Sequence, residues 1–164
     1  LGLEVRGDFG LNVFNSRALA FLRELGLASA TVSFELRHQQ VRDLAKLLPC
    51  EGIVYGRLPL MVMENCITKN NVGCRHGAGS TLTDRTGAQF PVQCVYGCRN
   101  EIENSLPLFL ADKAEWRGCG LTSARLRFTT ETADECAAVL RRYRGEGDYA
   151  PEKYTRGLFY RGVE

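Results

Sequence analysis

An α/β fold of about four βα units is what this sequence predicts, and three observations predict it. β-like runs alternate with amphipathic helical segments through the first sixty residues. The same rhythm returns after residue 106. Between the two, residues 62–106 break it with a cysteine-bearing stretch that carries a β-hairpin pattern. Strands and helices alternating over short connections mark parallel βαβ units, and their crossovers are right-handed almost by default.

The elements follow in order. "LEVRGDFGLNVFN" (3–15) begins as a strand and ends in polar loop residues. "SRALAFLREL" (16–25) opens on a Ser cap, places apolar groups at helical spacing and stops at Gly26. "SATVSFE" (29–35) reads as a strand, "RHQQVRDLAKLL" (37–48) as a helix halted by Pro49, and "GIVYGRLPLM" (52–61) as a third strand. Within the interruption, "TLTDRTGAQFPVQC" (81–94) holds two β-like runs around a turn at Thr86-Gly87. A short helix around 110–117, a strand "SARLRFT" (123–129) and a helix "TADECAAVLRRYRG" (132–145) complete the pattern. Thr132 suits the N-cap of that last helix, and Arg141, Arg142 and Arg144 suit the negative end of its dipole. The tail "DYAPEKYTRGLFYRGVE" is aromatic and basic. It reads as an arm packing its rings on the body of the fold rather than as an RNA-stacking surface.

Bulk properties narrow the class. A chain of 164 residues that is 45% hydrophobic and 24% charged can bury one ordinary core, which excludes a disordered segment. Net charge of +2 gives no general nucleic-acid surface. The longest apolar runs, "GLASATVSF" and "LPLMVM", are too short to cross a bilayer. The chain begins in mid-pattern at "LGLEV", as a piece of a longer protein would. Four βα units are half of an eight-unit barrel, whose usual size is about 250 residues. The pattern thus fits either a small doubly wound sheet or a half-barrel completed by a missing N-terminal half or a second copy of the chain.

Cysteine placement is the strongest chemical signal. Of seven cysteines, four fall close together as Cys66-x7-Cys74-x19-Cys94-x3-Cys98, among Asn, Gly and basic residues. An odd count with no export signal favours metal ligation over a disulfide framework and points to the cytoplasm. Clustered loop thiolates suit tetrahedral zinc or an iron–sulfur cluster, and Gly97 permits the turn that lets Cys94 and Cys98 reach one centre. Cys136, inside a helical pattern, reads as a core filler. A thiol protease needs a base beside its nucleophile. The chain has only His38, at a helix start, and His76, two residues past Cys74. No Gly-x-Ser-x-Gly elbow or His-Glu-x-x-His helix is present.

"GDFGLNVFNS", "ATVSFEL", "EGIVYGRLPLM", "NC…GC", "LTDRTGAQFPV", "CRNEIENSLPLFLAD", "RLRFTTET" and "YTRGLFYRGV" occur in the order seen in the U32 peptidase family, the collagenase-like peptidases. The resemblance spans essentially the whole chain and matches the C-terminal half of that family's catalytic region. Glu51, Gly56, Cys66, Gly73 and Cys74 occupy its signature pattern, with a longer spacer between Gly56 and Cys66 than the compact form has.

The resemblance implies a partial TIM-type (β/α)8 barrel over residues 1–164, with residues 62–106 inserted as a cysteine-bearing β-hairpin. It implies a peptidase activity, or a [4Fe-4S]-dependent hydroxylation of RNA bases or of a small aromatic substrate. The metal ligands expected are Cys66, Cys74, Cys94 and Cys98, with zinc as the alternative metal. Barrel chemistry happens at the C-terminal strand ends. Glu35, at the end of the second strand, and Arg57, after the third, are therefore the candidate catalytic residues, expected side by side. Asn12 and Asn15 follow the first strand. A third expectation is that the isolated piece acts only as an interaction domain.

Overall fold

The computed structural model describes residues 2–163 apart from 68, 70–72, 74–79 and 97. In chain order its strands are β1 (Arg6–Gly7), β2 (Ser29–Thr31), β3 (Cys50–Gly56), β4 (Pro59–Met63), β5 (Ser80–Thr83), β6 (Gln89–Val95), β7 (Arg99–Glu103), β8 (Leu108–Phe109) and β9 (Ser123–Arg127). The helices are α1 (Ser16–Glu24), α2 (His38–Leu44) and α3 (Ala133–Arg144). They form two sheets. In the first, β1, β2, β3 and β9 run parallel and β8 is antiparallel to β3. Gly56 pairs with both Leu108 and Arg127, and Glu51 with both Thr31 and Ser123, so β2 and β8 share one edge of β3 while β9 takes the other. The second sheet is antiparallel, in the order β4-β7-β6-β5.

This corrects the expectation of a half (β/α)8 barrel of four βα units. The fold is mixed α/β with two sheets, and strands outnumber the three α-helices among the described residues. Among the described residues, β1–α1–β2 and β2–α2–β3 are helical connections between neighbouring parallel strands. The third strand read from sequence, 52–61, is two strands in different sheets. Gly56 parts them at φ +113, a backbone region closed to most L-residues, and any Cβ there would stand 1.9 Å from the Arg127 carbonyl oxygen. The helix expected around 110–117 is replaced by turns and a 3-10 turn at Arg117–Cys119. "DKAEWRGCG" lacks a repeating apolar face, and Gly120 takes the left-handed conformation that ends a helix. The cysteine-bearing stretch is a whole antiparallel sheet, larger than the single hairpin expected, although β5 and β6 do pair around a turn at 84–88.

The local causes are visible in the caps. Asn15, one residue before the expected Ser, caps α1 by accepting from the Ala18 amide at 2.9 Å. Thr132 and Glu135 form a reciprocal capping box at the start of α3. Asp84 accepts from the Thr86 and Ala88 amides at 2.7 and 3.0 Å, and Gly87 supplies φ +85 in the same turn.

Val13, Leu19, Val32, Leu36, Val41 and Leu44 bury the first sheet under α1 and α2, and Tyr55, Phe109 and Val139 bury it under α3. The C-terminal arm packs as the sequence suggests. Thr155 bonds the backbone of Phe109 and Pro107, Arg156 forks onto Asp112, and Phe159 stacks 5.5 Å from the His38 ring. Arg127 joins the two sheets. From β9 it donates to Glu103 at 2.8 Å and to Glu101, both on β7, and to the Arg57 carbonyl at 2.5 Å. Among the described residues no helix is long and apolar enough to cross a membrane.

Candidate cysteine site

The second sheet carries the cysteines at one end. β4 runs out at Met63 and β6 at Val95, while β7 begins there at Arg99 and β5 at Ser80. Cys66 lies just past β4, Cys94 near the end of β6, and Cys98 in the tight connection from β6 to β7. In that connection Tyr96 adopts φ +46, which sharpens the turn. Cys74, with His76, belongs to the connection between β4 and β5 and lies outside the described residues, as does Gly97.

The sheet brings two of the four expected ligands together through a third residue. Asn100 on β7 stands opposite Met63 on one side and Cys94 on the other. Its side chain is completely buried, and its Nδ2 donates to the Cys66 sulfur at 3.8 Å and to the Cys94 sulfur at 3.4 Å. Sharing one nitrogen caps the separation of the two sulfurs at about 7 Å. Cys66 is buried and also accepts from the Lys69 amide at 3.3 Å, whereas Cys94 and Cys98 are exposed. Among the described residues no three His, Cys, Asp or Glu side chains are gathered around one point, and Cys98 shares the end of the sheet with Cys66 and Cys94.

The remaining cysteines are of another kind. Burial pushes the Cys50 thiol up to about 11 and raises that of Cys119. Both donate to backbone carbonyls, Cys50 to Leu48 and Cys119 to Glu115 and His38, as apolar fillers with one satisfied S–H do. Cys136 is half-buried on α3.

Glu35 and Arg57 are not paired. Arg57 donates to the carbonyls of Asn104 (2.9 Å) and Ser105 and to the Thr130 hydroxyl (3.2 Å), and it faces a cavity of about 230 Å³ with Glu131 and Glu135. Glu35 lines a different cavity, of about 310 Å³, with Leu58, Asn104 and Arg161. Arg57 thus holds the crossing between the sheets. Of the Asn residues after the first strand, Asn15 is a helix cap and Asn12 a left-handed turn residue.

A polar constellation unforeseen apart from Glu51 lies on the first sheet. Arg125 on β9 pairs with Glu51 and Asp8, each at 2.5 Å, and donates to Thr31 at 3.3 Å; Thr31 and Ser123 also donate to Glu51. These groups line a cavity of about 220 Å³ across four parallel strands. Only the alternation of "SARLR", which sets Arg125 and Arg127 on one face, hinted at it.

Compared with known proteins, the chain matches no family model, no curated protein and no solved structure.

Proposed function

We propose that this chain is part of a U32-type enzyme in which Cys66 and Cys94, with Cys98 and Cys74, hold a metal centre, an iron–sulfur cluster ahead of zinc. The observation that carries the reading is the convergence of the Cys66 and Cys94 sulfurs on the Asn100 amide. Two thiolates held near one another by a buried donor, at the end of a sheet that also presents Cys98, are a donor set that fits soft-metal ligation. Such a centre supplies electron transfer or Lewis acidity when bound. The chain's own part is to fix the sulfurs, to bury Cys66 away from solvent and to supply N–H donors to both.

The family label makes peptide hydrolysis the first activity to test. A second reading, modification of RNA or of a small aromatic substrate, is favoured by the surroundings of the thiols. His38, one of the two histidines, is engaged by the Phe159 carbonyl and by the rings of Phe159 and Tyr160. A sulfur that is buried and bonded to amides suits a ligand better than an attacking group.

Anaerobic reconstitution of the chain with iron and sulfide tests the proposal. The wild type is expected to gain bound iron, labile sulfide and a broad absorbance at about 400 nm. Cys66→Ser and Cys94→Ser are expected to lose most of all three, and Cys136→Ser to keep them. A wild type that takes up neither iron nor zinc sinks the proposal. Gelatin cleavage by the loaded chain, lost in the same variants, would select the peptidase reading.

A further inference from the structure

We infer that Asn100 is a positioning residue of the cysteine site, fixing the Cys66 and Cys94 sulfurs and setting the electron density they present to the centre they hold. The inference rests on the reading that these cysteines bind metal. It goes beyond that reading in giving a task to a residue that is no ligand.

The orientation of the amide is settled by its surroundings. Asn100 Oδ1 accepts from the Ile67 backbone amide at 2.7 Å. A backbone N–H can only donate, so the oxygen must face Ile67 and the NH2 must face the sulfurs. All three contacts are made inside a side chain with no solvent exposure. One amide therefore ties the segment after β4 (through Ile67 and Cys66) to the end of β6 (through Cys94), from the central strand between them. With the residue locked on three sides, its two N–H groups have little freedom to point elsewhere.

The same geometry has an electronic consequence. N–H donors to ligating sulfurs withdraw charge from them and raise the reduction potential of an iron–sulfur centre. An Asp in the same place would keep the shape and the Ile67 bond but set carboxylate oxygen against two thiolates. A Leu of similar size would keep the volume and lose every bond.

The test compares wild type with Asn100→Asp and Asn100→Leu, each checked for folding by circular dichroism, and reads two quantities. The first is the Kd for Co2+ alone, followed through its thiolate charge-transfer bands. The second is the midpoint potential of the chain reconstituted with iron and sulfide. Both variants are expected to bind Co2+ about 10–100-fold more weakly, the range typical of lost outer partners, and to show a more negative potential. Variants with wild-type Kd and potential overturn the inference, even if their melting temperature drops, because that result marks a purely structural Asn. If neither variant folds, Asn100→Ser is measured in the same way, since its short hydroxyl cannot span both sulfurs. A wild type that binds neither Co2+ nor iron removes the cysteine centre itself, and this inference with it. Binding in the wild type with unaltered variants removes only the role of Asn100.

Discussion

Tyr143 illustrates what one hydroxyl does in this fold. It projects from α3, donates to the Val54 carbonyl at 2.6 Å and accepts from the Leu110 amide at 3.0 Å. It thereby satisfies backbone groups of β3 and of the segment after β8 that the ladder leaves unpaired. Burial pushes its pKa above the ordinary tyrosine value, so the proton is present to be donated at any physiological pH. Tyr143→Phe keeps the ring packing against Tyr55, Phe109 and Trp116 and removes only the oxygen. Two buried backbone groups then lose their partner, and the expected loss is about 2 kcal/mol by urea unfolding. An unchanged midpoint would show that water replaces the hydroxyl. Asn100 obeys the same logic, one polar side chain meeting the demands of several elements. Nothing local in "CRNEIE" announces it, because its partners lie 33 and 34 residues back in the chain and 6 residues back across a hairpin.

At the scale of elements, the legible parts were those written in neighbouring residues. The Thr132 cap of α3, the "DRTG" turn and the crowding of cysteines each need only a short window of sequence. The division of β3 from β4 was not legible in that way. "GIVYGRLPLM" keeps its apolar character across Gly56, so periodicity reads one strand where the chain changes sheets. The cause is a non-local contact, the approach of Arg127 on β9 to a residue that has no Cβ. Gly56→Ala is accordingly expected to cost about 3 kcal/mol or more, since it combines positive-φ strain with a clash against backbone that cannot swing away. Gly87→Ala is the matched control. It shares the positive φ at +85 but has nothing within 4 Å, and about 1 kcal/mol is expected from the conformation alone. Equal losses for the two, measured by chemical denaturation, would mean that the close approach at Gly56 carries no weight.

For the whole molecule, the question is what holds a mostly parallel sheet and an antiparallel sheet in one body, and Arg127 is one polar link between them. It reaches from β9 to two carboxylates of β7, and its partner Glu103 has no solvent exposure, with Oε1 lacking a hydrogen-bond partner among the described residues. Burial holds the Glu103 carboxyl above its ordinary value, while Arg127 pulls it back down and Glu101 pushes it up. Burial likewise works against the charge on Arg127, but the pair of carboxylates outweighs it and keeps the guanidinium protonated. Arg127→Met removes the cation and leaves Glu103 buried without it, a change expected to cost about 3–5 kcal/mol at neutral pH. The sign of the pH dependence follows from the raised carboxyl. A folded state that binds a proton more tightly than the unfolded state keeps that advantage below the ordinary Glu value and loses it as pH rises through the folded pKa. Without Arg127 the folded pKa climbs further. The deficit of the variant relative to wild type should therefore be greatest at about pH 7 and shrink toward about pH 4. Adding Glu103→Gln should recover much of it at neutral pH, because the buried group is then uncharged. Urea unfolding of wild type, Arg127→Met and the double variant across that range tests the argument. A deficit that is flat with pH and untouched by Glu103→Gln would mean that the sheets are joined by apolar packing around the stem of Arg127, with its charge a bystander.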